Sequence, residues 1–315
     1  MPLWLSEADV RSVLKLPDLI PAMETALAAF STGVVDQPVR TAIELRPRAF
    51  FGIMPAYDPV SAVLGAKLVT VVPENAARRL PTHLASISLL DSETGELLAV
   101  MDGRYVTEVR TAAVSAISVK LLARPDAAVL AILGSGVQAR SHVEAFRLAC
   151  PFREMRAWSP AADHLRAFAE ECGVDAAASA EDAVRGADVI LLATNMVTPA
   201  IDSAWVSDGA HVIAIGACRP SQREIDSALL ARSRLFVDSR AAALQESGDI
   251  VQSIAEGRFT ADHVRAELGQ VIAGQSVGRT SADEVTLFKS LGLAIEDITA
   301  AALVYRRFCA GPSAS

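Results

Sequence analysis

The sequence predicts an α/β fold, a doubly wound parallel sheet joined to a smaller β-rich domain. Three observations predict it. Around residues 127–140 an apolar run of strand length meets Gly134, Ser135 and Gly136, and then helical spacing resumes from Val137 to Ala149, so a buried strand turns sharply into a helix. Short apolar runs and helical segments alternate after it, which implies parallel strands with right-handed crossovers. The first third instead shows extended segments divided by turn residues, the mark of a β layer.

The glycine segment supplies the first functional candidate. Gly134 permits the tight turn, Gly136 leaves no side chain between backbone and a pyrophosphate, and Ala139 takes the third place of the G-x-G-x-x-G/A pattern. An anion would sit on the free N–H groups of the helix start. The competing reading is a plain strand-helix turn of small residues; the strand before and the helix after favour a Rossmann-type nucleotide site.

The other elements follow in order. Ser6 and Asp9 spell a capping box opening a short helix, and residues 17–30 form an apolar-faced helix closed by Gly33. Residues 38–53 and 63–72 are extended, with Pro55 and Pro59 marking the loop between them. Strands at 85–90 and 97–101 meet across the turn-like DSETGE. Residues 107–122 form a helix capped by Thr107; 154–158 is a strand, 161–172 a helix, and 189–193, 211–215 and 235–237 are further strands. A long helix is expected over 281–308.

Composition narrows the class. The 315 residues are 51% hydrophobic and 21% charged, which suits a soluble chain with room for two cores. A net charge of -8 and no basic stripe argue against nucleic acid or an anionic membrane surface. The opening MPLWLSEADV has acids where a signal peptide is basic, and no apolar run is long enough to span a bilayer, so a cytoplasmic location is expected. Cys150, Cys172, Cys218 and Cys309 form no C-x-x-C pair and are expected as reduced, buried thiols, and the scattered histidines give no metal site.

Three cations stand out in the β-rich part. Lys67 lies in the apolar strand GAKLVTVV, where its ammonium needs either a cavity with an anionic partner or an edge position with its head in water. Arg110, in TEVRTAA, falls in the first turn of the expected helix, where the dipole disfavours a cation unless an anion is close; the alternative is an exposed arginine paired with Glu108 or Glu74. Arg40, in DQPVRTAIEL, reads alone as a surface residue. Together the three outline a site for a small carboxylate such as an amino or imino acid.

The segments PVRTAIEL, IMPAYDP, GAKLVTVVPEN, LLAVMDGRYVTEVRTAAVSA, LGSGVQARSH, REIDSALL, FVDSRAAALQESGDI and GRTSADEVTLFKSLGLAIEDITAAALVY resemble the ornithine cyclodeaminase and mu-crystallin family, in the family's order and over nearly the whole chain. The resemblance implies a homodimer with a substrate and dimerisation domain, 1–118 plus 290–315, and a Rossmann domain, 119–289, binding NAD or NADP. It implies that Arg40 and Arg110 hold the substrate carboxylate, that Lys67 is catalytic near the reacting nitrogen, and that Glu246 reaches the pocket. Arg110, Thr111, Gly134, Gly136, Val137, Gln138, Trp158, Ser159, Thr194 and Asn195 would line the cofactor.

Two departures from the family pattern refine this. Cyclodeaminases resemble G-x-D-x-P-G-K-x-E-L after the His211 strand, whereas GACRPSQREID puts Cys218 at the aspartate position, and a thiol does not hold an ammonium as a carboxylate does. Asp226 reads as a helix cap rather than a substitute acid. The R-P-x-x-R-E form instead resembles mu-crystallin and the imine reductases near it. After the second Rossmann strand stand Trp158, Ser159 and Pro160 in place of the acid that binds the ribose of NAD, which tilts the expectation to NADP, with Arg156 or His164 approaching the 2'-phosphate. The leading expectation is an NAD(P)H-dependent reductase of cyclic imino acids, pyrroline-2-carboxylate or piperideine-2-carboxylate. The alternatives are ornithine cyclodeaminase, an alanine or opine-type dehydrogenase, and a mu-crystallin-like binding protein.

Overall fold

The computed structural model describes residues 1–311. They form two compact units, one made of residues 1–111 with the chain from Gly292 on, the other of Ala112–Leu291. The units divide at 111/112, inside a continuous helix, and at 291/292.

In the first unit, β1 (Leu3–Leu5) precedes α1 (Glu7–Val13), and the Ser6–Asp9 capping box forms as the sequence predicts. After α2 (Leu16–Ser31) come β2 (Thr41–Arg46), β3 (Ala49–Asp58), β4 (Val63–Val71), β5 (His83–Leu90) and β6 (Leu97–Asp102). They make a six-stranded sheet in the order β1-β6-β5-β4-β3-β2, antiparallel except for the β1–β6 pair. The extended segment expected at 38–53 is a hairpin, turned between β2 and β3 where Arg48 takes a φ of 68°. Pro55 is not in a loop but inside β3, paired with Ala66. It lies past the end of β2, where β3 is locally an edge and its missing N–H breaks no ladder bond.

A helix, α3 (Arg104–Leu122), follows; Asp102 Oδ1 accepts the Arg104 N–H at 2.8 Å, so it starts before Thr107, whose hydroxyl donates to Gly103 O. In the second unit, β7 (Val129–Leu133), α4 (Val137–Ala149), β8 (Glu154–Trp158), α5 (Ala162–Cys172) and β9 (Asp175–Ala176) make one half. The other half runs through α6 (Ala180–Val184), β10 (Val189–Leu192), β11 (His211–Ala214), α7 (Ser227–Arg232), β12 (Arg234–Val237), α8 (Arg240–Glu246), α9 (Gly248–Ala255), β13 (Val264–Glu267), α10 (Leu268–Ile272) and β14 (Thr286–Lys289). The sheet is wholly parallel, in the order β13-β12-β14-β11-β10-β7-β8-β9. Its strand order reverses between β7 and β10, which defines a doubly wound Rossmann-type sheet and its switch point. Leu130, Ile132, Ile190, Leu192, Val212 and Leu235 are fully buried, each stabilising by about 1.5–3 kcal/mol.

The helix expected over 281–308 is wrong in its first part. Thr286–Lys289 is β14, a central strand between β11 and β12, because a short run buried on both faces has no periodicity to separate strand from helix. The helix proper, α11 (Ala294–Ala310), packs on β3, β4, β5 and α2 of the first unit.

Two histidines are sealed into the second unit. His142 bridges Ser115 Oγ at 2.9 Å and Gln138 O at 2.7 Å; His211 lies between Ser118 Oγ at 3.1 Å and Thr286 Oγ1 at 2.9 Å. Burial pushes His142 down to about 4, and burial with the Arg279 charge pushes His211 down to about 3. The cysteines are not core residues as expected: Cys150, Cys172 and Cys218 are partly buried and Cys309 is exposed. No helix among the described residues is long and apolar enough to cross a membrane.

Candidate functional site

Strand alternation sends Lys67 to the face that α11 covers, together with Val63 and Val69. It is 2% exposed, and its ammonium pairs with Asp297 in the first turn of α11, which excludes the edge position with its head in water. Arg110, on α3, reaches the same turn. Its Nη1 donates to Glu296 Oε2 at 2.6 Å and its Nε to Asp297 Oδ1 at 3.0 Å. Neither Glu108 nor Glu74 is its partner, since Glu108 pairs with Arg11 and Glu74 with Arg46. Because α3 begins at Arg104, Arg110 is also not in a first turn, and buried acids rather than a helix dipole set its surroundings.

Arg40 is not an isolated surface residue: its Nη2 donates to Gly292 O at 3.3 Å. Gly292 has a φ of +82°, and a Cβ there would lie 2.5 Å from Arg110 Nη1, so glycine lets both guanidinium groups approach this turn. Burial pushes the Lys67 ammonium down, Asp297 opposes it, and Arg110 and Arg40 push further, leaving a pKa of about 8. Three cations are gathered here beside two carboxylates. Such a cluster can hold a single carboxylate and exchange a proton near neutral pH.

In the second unit Gly134 has a φ of +127°, and a Cβ there would strike Ala193 O at 2.4 Å, so only glycine serves. Gly136 faces open space at the start of α4, which has no side-chain cap, and the Gln138 Oε1 nearby is buried without a hydrogen-bond partner. Open backbone and uncapped N–H groups fit the pyrophosphate of a dinucleotide. Val137 is 51% exposed beside them. Trp158 ends β8, its carbonyl accepting the Gly134 N–H, and Ser159 Oγ accepts from Ser135 Oγ at 3.0 Å. Thr194 and Asn195 leave the end of β10, Thr194 held by Glu224 and Asn195 exposed. The Thr111 hydroxyl donates within α3, to Thr107 O. Glu246 is the last residue of α8, in the second unit, whereas Arg40, Lys67 and Arg110 belong to the first.

A family model for the ornithine cyclodeaminase/mu-crystallin family matches residues 2–311. The chain belongs to that family. It is 44% identical to ketimine reductase mu-crystallin of Mus musculus over 317 residues, 98% of each chain. It shares 35% identity and a TM-score of 0.92 with Delta(1)-pyrroline-2-carboxylate reductase of Thermococcus litoralis, solved with NADH and L-proline, over 96% of each chain. With an archaeal alanine dehydrogenase dimer carrying NAD it shares 33% identity and a TM-score of 0.94, over 100% of this chain and 98% of that one.

Within this family member the cyclodeaminase aspartate position holds Cys218, whose N–H donates to Gln222 Oε1 at 3.2 Å. Asp226 is spent as the α7 cap, accepting from Leu229 N and from Ser203 N. Arg156 turns from the end of β8, its Nε pairing with Glu154 and its Nη1 donating to Asp182 O. The cluster residues that the individual reading of charges missed are Glu296, Asp297 and Gly292. The adjacent acids in GLAIED, inside an apolar stretch, were the available signal.

Proposed function

We propose that this chain is an NAD(P)H-dependent oxidoreductase that reduces cyclic imino acids, pyrroline-2-carboxylate or piperideine-2-carboxylate, to proline or pipecolate. The observation that carries the reading is Lys67, sealed beside Asp297 and two guanidinium groups with its pKa at about 8. A substrate carboxylate on Arg40 and Arg110 would orient the ring, and Glu296 and Asp297 fix the Arg110 plane in advance. Lys67 then donates to the imine nitrogen and makes the neighbouring carbon a better hydride acceptor. The reduced nicotinamide supplies the hydride when bound. The C=N bond becomes a C–N single bond, carbon gaining the hydride and nitrogen the proton. Gly134, Gly136, Val137 and Gln138 would hold the nucleotide's phosphates, Trp158 and Ser159 its adenosine, and Thr194 and Asn195 its nicotinamide half. Arg110, Thr111 and Glu246 complete the residues this reading assigns to bound ligands.

Relatives solved with NADH or NAD support a nicotinamide cofactor. NADP is the finer choice because Ser159 and Pro160, directly after Trp158, carry no acid to repel a 2'-phosphate; Arg156, engaged elsewhere, adds nothing to it. A homodimer belongs to the reading too. Ile43, Leu68 and Leu84 are 53%, 40% and 41% exposed on the sheet face away from α11, apolar surface that a second copy would cover.

The test is NADPH and NADH oxidation with both imino acids, with ornithine as the comparison. Imine-dependent oxidation without ornithine turnover is expected, and Lys67→Ala abolishes it while nucleotide still binds. Ornithine turnover would instead establish a cyclodeaminase, and tight nucleotide binding with no turnover at all a binding protein.

A further inference from the structure

The second unit holds a buried charge cluster that the proposed chemistry does not use. Lys289, at the end of β14, and the carboxylates Glu224 and Asp249 are all fully buried. Lys289 Nζ lies 3.0 Å from Asp249 Oδ2 and 3.8 Å from Glu224 Oε2. Asp249 Oδ1 accepts the N–H groups of Glu224 and Ile225 at 2.7 and 3.0 Å, which fixes the backbone of Glu224.

Glu224 in turn grips two strand ends at once. Its Oε1 accepts Thr194 N at 3.0 Å and Thr194 Oγ1 at 2.7 Å, just beyond β10. Its Oε2 accepts Gly216 N at 2.7 Å and Ala217 N at 3.0 Å, just beyond β11. All four donors sit at the carboxyl edge of the parallel sheet, where doubly wound folds bind their ligands. They lie on the β10 side of the switch point, whereas the glycine turn and Ser159 lie on the β7–β8 side. We propose that Glu224, anchored by Asp249 and Lys289, is a positioning residue that shapes the nicotinamide half of the cofactor site through Thr194 and the 216–217 turn. The inference rests on the nucleotide reading above.

Its signature is a split between the two halves of the cofactor. Glu224→Gln keeps the side-chain size and leaves Lys289 and Asp249 as a neutral pair, but sets an amide N–H₂ against donors that now need an acceptor. NADH should bind about tenfold or more weakly in this variant, while ADP-ribose, which lacks the nicotinamide, keeps its affinity within about twofold. Thr194→Val removes one clamp bond to Glu224 while all three buried charges stay in place, and should move NADH alone by about threefold. Dissociation constants for both ligands, with thermal melting as a check of folding, measure these ratios. Unchanged NADH affinity in Glu224→Gln, or equal losses of NADH and ADP-ribose, overturns the proposal; if that variant does not fold, the same ratio in Thr194→Val decides. A wild-type chain that binds neither ligand removes the nucleotide reading itself, and the clamp with it.

Discussion

Two lysines in this chain are buried beside carboxylates, and their surroundings give them opposite characters. Lys67 has one close acid, Asp297, and two guanidinium groups near it, so burial prevails and its pKa falls to about 8. Burial lowers Lys289 as well, but Asp249, Glu224 and Cys218 together outweigh it, and its pKa ends above the ordinary value. What sets the two lysines apart is the charge balance around each, since depth of burial is equal in both.

Replacing each by methionine tests this most directly. Lys67→Met should lower the rate of imine reduction by about 10³-fold, within the range for a lost general acid, with little change in melting temperature because Asp297 keeps Arg110. Lys289→Met leaves two buried carboxylates without a counter-ion and should cost about 3–5 kcal/mol of stability, read as a drop in the denaturation midpoint. Equal stability losses in both variants would erase the distinction.

The pH dependence sharpens it. Lys67 must be protonated to donate, so kcat/KM for reduction should fall above pH about 8, approaching about tenfold per pH unit. Asp297→Asn removes a carboxylate that raises the Lys67 pKa and should move that limb to lower pH; a limb that stays in place would deny Asp297 its part.

The smallest effect concerns stability in acid. His142 and His211 are neutral in the fold, while an unfolded histidine titrates near 6.5, so the unfolded state takes up more protons as pH falls below 6.5. Stability should therefore decline from pH 6.5 toward 4, by up to about 1.4 kcal/mol per pH unit for each histidine, a slope that His142→Gln should reduce in denaturant titrations.

Much of this molecule is local and so was legible in the residues. The capping box of Ser6 and Asp9, the β8 strand over Glu154–Trp158 and the glycine turn all depend on neighbours within a few positions, and they form where the pattern puts them. β14 was hidden because four residues buried on both faces carry no period, and Thr107 misled because Asp102 caps the helix from outside the apolar stretch. The pairing of Arg110 and Lys67 with Glu296 and Asp297 spans 186 or more positions for Arg110, and no spacing rule reaches that far.

The sequence by itself determined the doubly wound sheet, the family and three cations in want of an anion, because backbone period, glycine and the cost of a buried charge are properties of single residues and short runs. Only the tertiary structure decided which acids answer those cations, and hence that one buried lysine exchanges its proton near pH 8 while the other stays charged. Electrostatic energy depends on distance in space, and folding sets those distances between residues far apart along the chain.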